Sequence, residues 1–193
     1  MQRCGWVSQD QLYIDYHDQE WGVPEKDGKK LFEMICLEGQ QAGLSWITVL
    51  KKRENYRAAF HLFDPVKVAA MTDEDVERLV LDAGIIRHRG KIQAIIGNAR
   101  AYLAMAQNGE PFSDFVWSFV DNTPKVTQAA TLAEIPTSTA ASDALSKALK
   151  KRGFKFVGTT ICYSFMQACG LVNDHITGCI CHPGGVDDPQ MAK

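Results

Sequence analysis

The apolar positions of this chain follow the spacing of α-helices over most of its length. One apolar stripe begins at Leu31, and a second runs from Ile92 to Leu103 and stops at Asn108–Gly109. In both stripes the apolar residues recur every three or four positions, which places them on one helix face. Alternating strand-like segments are nearly absent, and no repeat of solenoid length is visible. We therefore predict an all-α fold.

Several shorter helices are predicted from their start and stop signals. Thr72 to Asp75 precedes an apolar run in the pattern of a capping box. Further helices are expected over 112–120, 142–151 and 159–169, the first of them ended by Asn122-Thr-Pro124. Gly43 interrupts the helical pattern between Leu31 and Leu50.

The predicted elements divide the chain into a helical array and a second lobe. The array covers about 30–135, and the lobe combines 1–29 with 136–181, both within a single domain of 193 residues. We expect 182–193 to be a loose tail because its Pro and Gly residues follow the last apolar run. The lobe carries most of the side chains capable of chemistry.

Composition narrows the functional classes. Hydrophobic residues make up 46% of the chain and charged residues 23%, enough to form a core. The first residues lack the layout of a signal peptide, and no apolar run reaches the ~20 residues that span a bilayer. We therefore expect a cytoplasmic protein without membrane contact. We also expect it to be a monomer.

Charge permits a nucleic-acid partner without requiring one. The net charge of −2 argues against indiscriminate coating of nucleic acid. Basic residues nevertheless cluster at 51–53, 87–91 and 147–155, and a local basic face can bind DNA while acidic residues collect elsewhere. Each cluster alone is also typical of a solvated helix face.

Six cysteines in a cytoplasmic chain indicate core thiols or metal ligands rather than disulfides. His175 and Cys179 have a spacing that suits two ligands of one zinc ion, and Cys4 and His17 are candidates from the other end of the chain. Cys181 and His182 are rival ligands beside Cys179. The spacing also allows a buried thiol at Cys4 and a surface histidine at His17. Cys36, Cys162 and Cys169 lie in apolar stripes and are expected in the core.

The junction of the last two predicted helices has features of a phosphate site. Gly158 allows close approach of a partner, and Thr159 opens a helix whose first amides lack partners within the helix. Lys155 adds positive charge. The pattern fits a helix-hairpin-helix element that grips a DNA phosphate without reading bases, and it also fits an ordinary turn between helices.

Aromatic residues concentrate in the first quarter of the chain. Five rings lie there, and the pattern predicts an irregular segment for four of them: Trp6, Tyr13, Tyr16, Trp21 and Trp46. They indicate a packed lid or a pocket for a flat ligand, such as a base flipped out of DNA. Glu38 stands in an otherwise apolar helical stretch, where a carboxylate points outward or is held for a purpose.

Several motifs together resemble a known family. They are Cys4-Gly-Trp6, Tyr16-His17, Glu20-Trp-Gly-Val-Pro24, Glu38-Gly-Gln-Gln-Ala-Gly-Leu-Ser-Trp46, Val157-Gly-Thr-Thr160 and Asn173-Asp-His175. Over Met1 to about Cys181, the chain resembles the bacterial 3-methyladenine DNA glycosylase I family. The resemblance implies the helix-hairpin-helix glycosylase superfamily, a substrate of double-stranded alkylated DNA, and free 3-methyladenine as product.

The resemblance also implies roles for individual residues. One structural Zn²⁺ would join the two ends of the chain through Cys4, His17, His175 and Cys179. Glu38 would be the catalytic residue that reads the base, and the five rings would form its pocket: Tyr16 and Trp46 beside it, with Trp6, Tyr13 and Trp21 around them. Gly43 and Leu44 would enter the gap left by the flipped nucleotide.

Many relatives in the superfamily carry a catalytic Asp just past the hairpin helix, near the place of Asp174. The resemblance implies that this family lacks that working Asp, so Asp174 is not assigned as the catalyst. No lysine stands where bifunctional relatives form a Schiff base, so strand cleavage is not expected.

Two other classes compete with this interpretation. A zinc hydrolase would use Glu38 as base on a metal-activated water, which requires an open coordination position. A non-catalytic DNA-binding module would use the hairpin and the zinc ion only as a scaffold. Such a module would have no use for the Glu38 carboxylate in a cavity lined by aromatic rings.

Overall fold

A computed structural model describes residues 2–184, and the fold in this range is predominantly helical. Ten α-helices occur there: α1 (Gln11–Gln19), α2 (Gly28–Gln40), α3 (Trp46–Leu50), α4 (Arg53–Ala59), α5 (Pro65–Ala69), α6 (Asp73–Leu79), α7 (Arg89–Gln107), α8 (Phe112–Ser118), α9 (Ala140–Lys151) and α10 (Thr159–Ala168). Two short 3₁₀ helices occupy His61–Phe63 and Leu132–Glu134. The prediction of a helical fold class is confirmed.

Local sequence signals account for the ends of these helices. The Thr72 hydroxyl accepts from the Asp75 amide while the Asp75 carboxylate accepts from the Thr72 amide, so the predicted capping box of α6 is confirmed. α7 ends at Gln107, and Gly109 follows with a φ of +74°, which glycine adopts without strain. The stop predicted at Asn108–Gly109 is therefore confirmed.

The predicted helical array is shorter than expected. α8 ends at Ser118, and no α-helix forms over 119–139. Asp121 and Asn122 have positive φ values of 55° and 58°, which ends helical propagation before Pro124. The chain then forms β1 (Lys125–Val126), which pairs in parallel with β2 (Val172–Asn173). Two-residue strands are too short to produce an alternating pattern in the sequence.

The N-terminal segment is more regular than predicted. Tyr13 and Tyr16 lie on α1, whose N-cap Asp10 accepts a hydrogen bond from the Leu12 amide. α1 therefore orders two of the rings that we expected in an irregular segment.

The predicted tail begins within the ordered structure. His182 is buried, and its Nε2 lies 3.1 Å from the Thr127 carbonyl oxygen. The expectation of a loose tail is thus wrong at His182, and 185–193 lie outside the described residues. Over 2–184, no helix has the length and apolar character needed to span a bilayer.

Two hydrophobic clusters hold the elements together. The larger cluster includes buried residues of α2, α7 and α10, so the array and the second lobe share one core. The smaller cluster joins the two ends of the chain and contains Cys4, Tyr16, Trp21, Leu50, Ala168, Ile176 and Cys179. α2 and α10 pack together. The C-terminal end of α2 therefore lies beside one side of α10, and the two helices border the cavity described below.

Candidate active site and metal site

A cavity of about 370 Å³ lies between α1, α2, α3 and α10. Its lining consists of Trp6, Tyr13, Tyr16, Trp21, Glu38, Gln41, Trp46, Leu132, Ile135, Pro136, Thr137, Thr160, Tyr163, Ser164 and Gln167. The structure therefore brings together Glu38 and all five predicted rings. The volume is within the range of small-molecule sites.

Glu38 lies on the last turn of α2 with only 3% of its surface exposed. Burial raises the pKa of its carboxyl group from the ordinary 4.5 to about 8, because the charged form loses its hydration. Within the described residues, Glu38 Oε2 has no hydrogen-bond partner. Packing thus holds the carboxyl group in place without a hydrogen bond from the protein to this oxygen.

The rings surround this carboxyl group in edge-to-face and tilted arrangements. The centroid of Trp6 lies 5.0 Å from that of Tyr13 and 5.1 Å from that of Trp21, and Tyr16 lies 5.6 Å from Trp46. Burial, and then the nearby charge of Glu38, raises the pKa of Tyr16. Tyr16 therefore keeps its proton and remains able to donate a hydrogen bond.

One wall of the cavity was not foreseen. α10 contributes Thr160, Tyr163, Ser164 and Gln167. These positions recur at intervals of three and four residues along α10, so a polar stripe opposite its apolar face was the available signal. The segment Leu132–Thr137 closes another side and carries no comparable pattern.

The predicted wedge, Gly43 and Leu44, lies in the turn between α2 and α3 and does not line the cavity, although Gln41 and Trp46 on either side of it do. Gly43 has a φ of +78°, and the following Leu44 is 41% exposed. Lys91 of α7 anchors the turn, because its buried Nζ donates to the carbonyl oxygens of Gln40 (2.9 Å) and Ala42 (2.6 Å). A cation at the last carbonyls of a helix is favourable for the helix dipole.

The predicted hairpin joins α9 to α10, and α10 begins beside the cavity. The Ser146 hydroxyl donates to the Val157 carbonyl oxygen at 2.6 Å and ties the turn to α9. Gly158 caps α10 without a side-chain hydrogen bond, and no protein atom lies within 4 Å of a Cβ placed there. The open space and uncapped amides suit the approach of a phosphate.

Two further hairpin residues differ in availability. Lys155 is exposed. The Thr159 hydroxyl already donates to Asp143 at 2.5 Å, so a phosphate contact at this position would use the backbone amide rather than the side chain.

The four predicted metal ligands form one cluster at the junction of the chain ends. Cys4, His17, His175 and Cys179 are all buried, and their ligand atoms lie within 4.8 Å of one another. Cys179 Sγ is 3.4 Å from His17 Nε2 and 3.4 Å from His175 Nδ1, and Cys4 Sγ is 3.7 Å from His175 Nδ1. Sulfur and nitrogen ligands of one tetrahedral zinc ion are expected about 3.6 Å apart. The cluster can therefore hold a metal ion.

Second hydrogen bonds orient both histidines for this purpose. His17 Nδ1 lies 2.7 Å from an Asp18 carboxylate oxygen, and His175 Nε2 lies 2.9 Å from the Trp21 carbonyl oxygen. Both oxygens accept hydrogen bonds, so each histidine donates from that nitrogen and presents a lone pair from the other nitrogen to the cluster. Carboxylate and carbonyl partners of this kind are usual around metal-binding histidines.

Burial affects the protonation of the ligands in opposite ways. It lowers the pKa of His175 to about 4, which keeps the imidazole in its neutral, metal-binding form. It raises the pKa of Cys4 to about 12, so this thiol requires a cation to become a thiolate.

Neither rival ligand belongs to the set of four, although Cys181 forms a second group of possible ligands with Asp18 and His17. Cys181 Sγ lies beside Asp18, and His182 bonds to the Thr127 carbonyl.

The fold and the cavity define a class of protein: a helical protein with a buried carboxyl group in a ring-lined pocket and a separate Cys/His cluster. The family model for methyladenine glycosylase matches residues 6–182, which is most of the chain. The chain belongs to the methyladenine glycosylase family.

Individual relatives agree with this assignment. The chain is 86% identical to Escherichia coli (strain K12) DNA-3-methyladenine glycosylase 1 over 184 residues, which cover 95% of this chain and 98% of that protein. A crystal structure of 3-methyladenine DNA glycosylase I has a TM-score of 0.94 and 82% identity, covering 94% of this chain and 100% of that one. A structure of the Staphylococcus aureus enzyme, which concerns 3-methyladenine recognition, has a TM-score of 0.91 and 42% identity over 94% and 96% of the two chains.

Proposed function

We propose that this chain is a monofunctional DNA glycosylase that hydrolyses the N-glycosidic bond of 3-methyladenine in alkylated DNA. The observation that carries the proposal is Glu38, a carboxyl group buried among aromatic rings in a base-sized cavity. Family membership and the high identity to a DNA-3-methyladenine glycosylase agree with it. A hydrolase of this kind acts in base excision repair.

The chemistry of the base explains why such a cavity suffices. Methylation at N3 places positive charge on the adenine, so the base is already a good leaving group. Aromatic faces attract cations, and Glu38 accepts hydrogen bonds from the charged base. The positive charge favours the ionised form of Glu38, whereas undamaged adenine would face a buried carboxyl group without that compensation. The cavity thus discriminates by charge as well as by shape.

The absence of a lysine from the cavity lining over 2–184 supports hydrolysis without strand cleavage. Bifunctional glycosylases need an amine to form a Schiff base. Asp174 does not line the cavity either, so we assign it no part in the bond cleavage.

The partner in this proposal is double-stranded DNA. The damaged nucleotide is flipped into the cavity, which is necessary because its glycosidic bond is not accessible inside the duplex. Gly43 and Leu44 in the turn between α2 and α3 fill the gap, and Lys155 with the amides from Gly158 onward holds a phosphate as in helix-hairpin-helix proteins. The chain acts as one domain and as a monomer in the cytoplasm, where bacterial DNA lies.

The Cys/His cluster holds one structural zinc ion in this proposal. Zinc bound by four protein ligands has no position for a reacting water, so it stabilises the fold and takes no part in the reaction. The four ligands are also absent from the cavity lining, which argues against a zinc hydrolase with Glu38 as its base. A plain DNA-binding module is disfavoured because Glu38 is buried at a cost in free energy that binding alone does not require.

A release assay separates these three functions. The protein is incubated with DNA containing 3-methyladenine, with and without a short exposure to a zinc chelator, and free base and strand breaks are measured. We expect base release without strand cleavage, and release that persists until the protein unfolds. Immediate loss of release from folded protein would support the hydrolase, and binding without release would support the DNA-binding module.

A further inference from the structure

The hairpin that joins α9 to α10 is fixed to the helical array by a buried asparagine. Asn98 lies on α7 with 2% of its surface exposed. Its Nδ2 donates to the Lys155 carbonyl oxygen at 3.2 Å, and its Oδ1 accepts from the Lys155 amide at 2.9 Å. Within the described residues, both hydrogen bonds that join 153–158 to the array are made by this side chain. Asn98 therefore determines where Lys155 lies relative to α7.

This pair of bonds holds a backbone segment that is unfavourable by itself. Phe156, the next residue, has a φ of +55°, a value that residues with a Cβ rarely adopt. Such a conformation persists where neighbouring contacts impose it. The asparagine in turn needs its partners, because a buried polar group without hydrogen bonds is costly. The fit of Asn98 to Lys155 thus keeps the hairpin in one position.

A close contact brings the same segment against the helix that carries Glu38. Gly39 follows Glu38 on α2, and a Cβ placed at Gly39 would lie 3.1 Å from the Phe156 carbonyl oxygen and 3.2 Å from Phe156 Cβ. These distances are tighter than ordinary van der Waals contact, so the helix and the hairpin approach this closely because residue 39 has no side chain. α7 packs against α2 as well. Asn98 and Gly39 together set the distance between the hairpin and the Glu38 carboxyl group.

We propose that Asn98 is a positioning residue for base excision, which holds the hairpin at the distance from Glu38 at which a DNA phosphate and the flipped base are bound together. This inference rests on the proposed function, because it takes the hairpin as the phosphate site and the cavity as the base site. Free base occupies one site and undamaged duplex the other, so neither depends on the distance between them. The flipped nucleotide has to meet both sites at once, and a misplacement of about 1 Å can cost about a hundredfold in rate.

Asn98→Leu tests the proposal, because it removes both hydrogen bonds and keeps a side chain of similar size. Three quantities are measured with the full-length protein: the affinity for free 3-methyladenine, the affinity for undamaged duplex DNA, and the single-turnover rate of 3-methyladenine release from duplex DNA. We expect both affinities to stay within about twofold of wild type and the release rate to fall about tenfold or more, because the two sites no longer match.

Gly39→Ala displaces the hairpin without removing a hydrogen bond. Alanine is favoured over glycine inside a helix, so the substitution does not destabilise α2 itself. The added methyl group pushes against Phe156, and we expect retained affinities with a release rate lower by about threefold or more. This variant decides the question if Asn98→Leu does not fold.

Two further variants control for the loss of a hydrogen bond and for the loss of stability. Asn55→Leu makes the same substitution on α4, where the side-chain amide donates to the Gly84 carbonyl oxygen at 3.0 Å instead of to the hairpin. Val68→Ala removes buried methyl groups from α5 and lowers stability without touching the hairpin bonds. Both variants should release 3-methyladenine at the wild-type rate at a temperature where they are folded.

The outcomes are distinct. Slower release with both affinities retained in Asn98→Leu and Gly39→Ala, at unchanged rates in the two controls, supports the inference. An unchanged release rate in either variant that folds, or a loss of rate that follows a loss of affinity, would reduce Asn98 to a structural residue and overturn it. Wild-type protein that does not release the base would overturn the proposed function and this inference with it.

Discussion

At the scale of single residues, burial rather than residue type distinguishes Glu38. The sequence allowed an exposed helix glutamate and a held carboxylate equally, because an apolar stretch does not reveal which face a polar residue occupies. The structure places it among rings, with a pKa raised to about 8 by burial. A buried carboxyl group whose pKa is strongly shifted by its surroundings is typical of functional sites.

The raised pKa of Glu38 makes a prediction about stability. A carboxyl group whose pKa is higher in the folded state binds protons more tightly there, so the free energy of unfolding falls as pH rises from about 5 to 8. Glu38→Gln removes this ionisation. We expect the variant to gain stability relative to wild type over that range, on the order of 5 kcal/mol at pH 9. Urea unfolding at several pH values measures the difference.

The control is Glu74→Gln, which changes an exposed glutamate on α6. Its stability should follow that of wild type at every pH. A Glu38→Gln difference that does not vary with pH would mean that the carboxyl group is hydrated in solution.

At the scale of elements, the helices could be predicted well and the segments between them could not. The capping box of α6 and the glycine stop of α7 are local signals, readable without knowledge of the fold. The pairing of β1 with β2 depends on residues far apart in the chain, and each strand is too short for a pattern. For the same reason the cavity wall of α10 was missed, because its polar stripe acquires meaning only opposite Glu38.

The start of α10 supplies a second prediction. Gly158 has ordinary φ and ψ values of −61° and 163°, and no protein atom lies within 4 Å of an added Cβ. Gly158→Val should therefore fold normally but obstruct a phosphate that approaches the α10 amides. We expect affinity for duplex DNA to fall about fivefold or more across sequences, since a phosphate contact carries no base information. Fluorescence anisotropy with labelled duplexes measures this.

Free-base affinity and melting temperature serve as internal controls for this variant and should stay at wild-type values. Gly158→Ala should give a smaller loss in proportion to its smaller side chain. Unchanged DNA affinity for the valine variant would make the segment an ordinary turn between helices.

At the scale of the whole molecule, the two chain ends form one unit with the cavity. Ile180 N donates to the Gln2 carbonyl at 3.1 Å, and the Cys/His cluster lies beside the same junction. Four of the cavity rings also come from the N-terminal segment: Trp6, Tyr13, Tyr16 and Trp21. The sequence alone was weak evidence for the four metal ligands, because the spacing between Cys4 and His17 does not match a known zinc-binding motif. The family resemblance was needed to group them.

Removal of one ligand tests the proposed zinc ion. Cys4→Ala should lower zinc content and melting temperature together, by at least about 5 °C, which corresponds to roughly 2 kcal/mol for a domain of this size. Zinc is measured by atomic emission and unfolding by calorimetry. Cys181→Ala, a neighbouring thiol outside the cluster, is the matched control and should retain both. Full zinc occupancy with unchanged melting in Cys4→Ala would contradict the assignment.

The central claim is that Glu38 reads the methylated base, and titration of free 3-methyladenine tests it most directly. Calorimetry compares wild type with Glu38→Gln, which keeps the size of the side chain and removes its charge. We predict weaker binding in the variant by about 1–3 kcal/mol, the value of a lost charged hydrogen bond, with duplex DNA binding unchanged. Equal affinities of the two proteins for 3-methyladenine would contradict the account and place base recognition elsewhere.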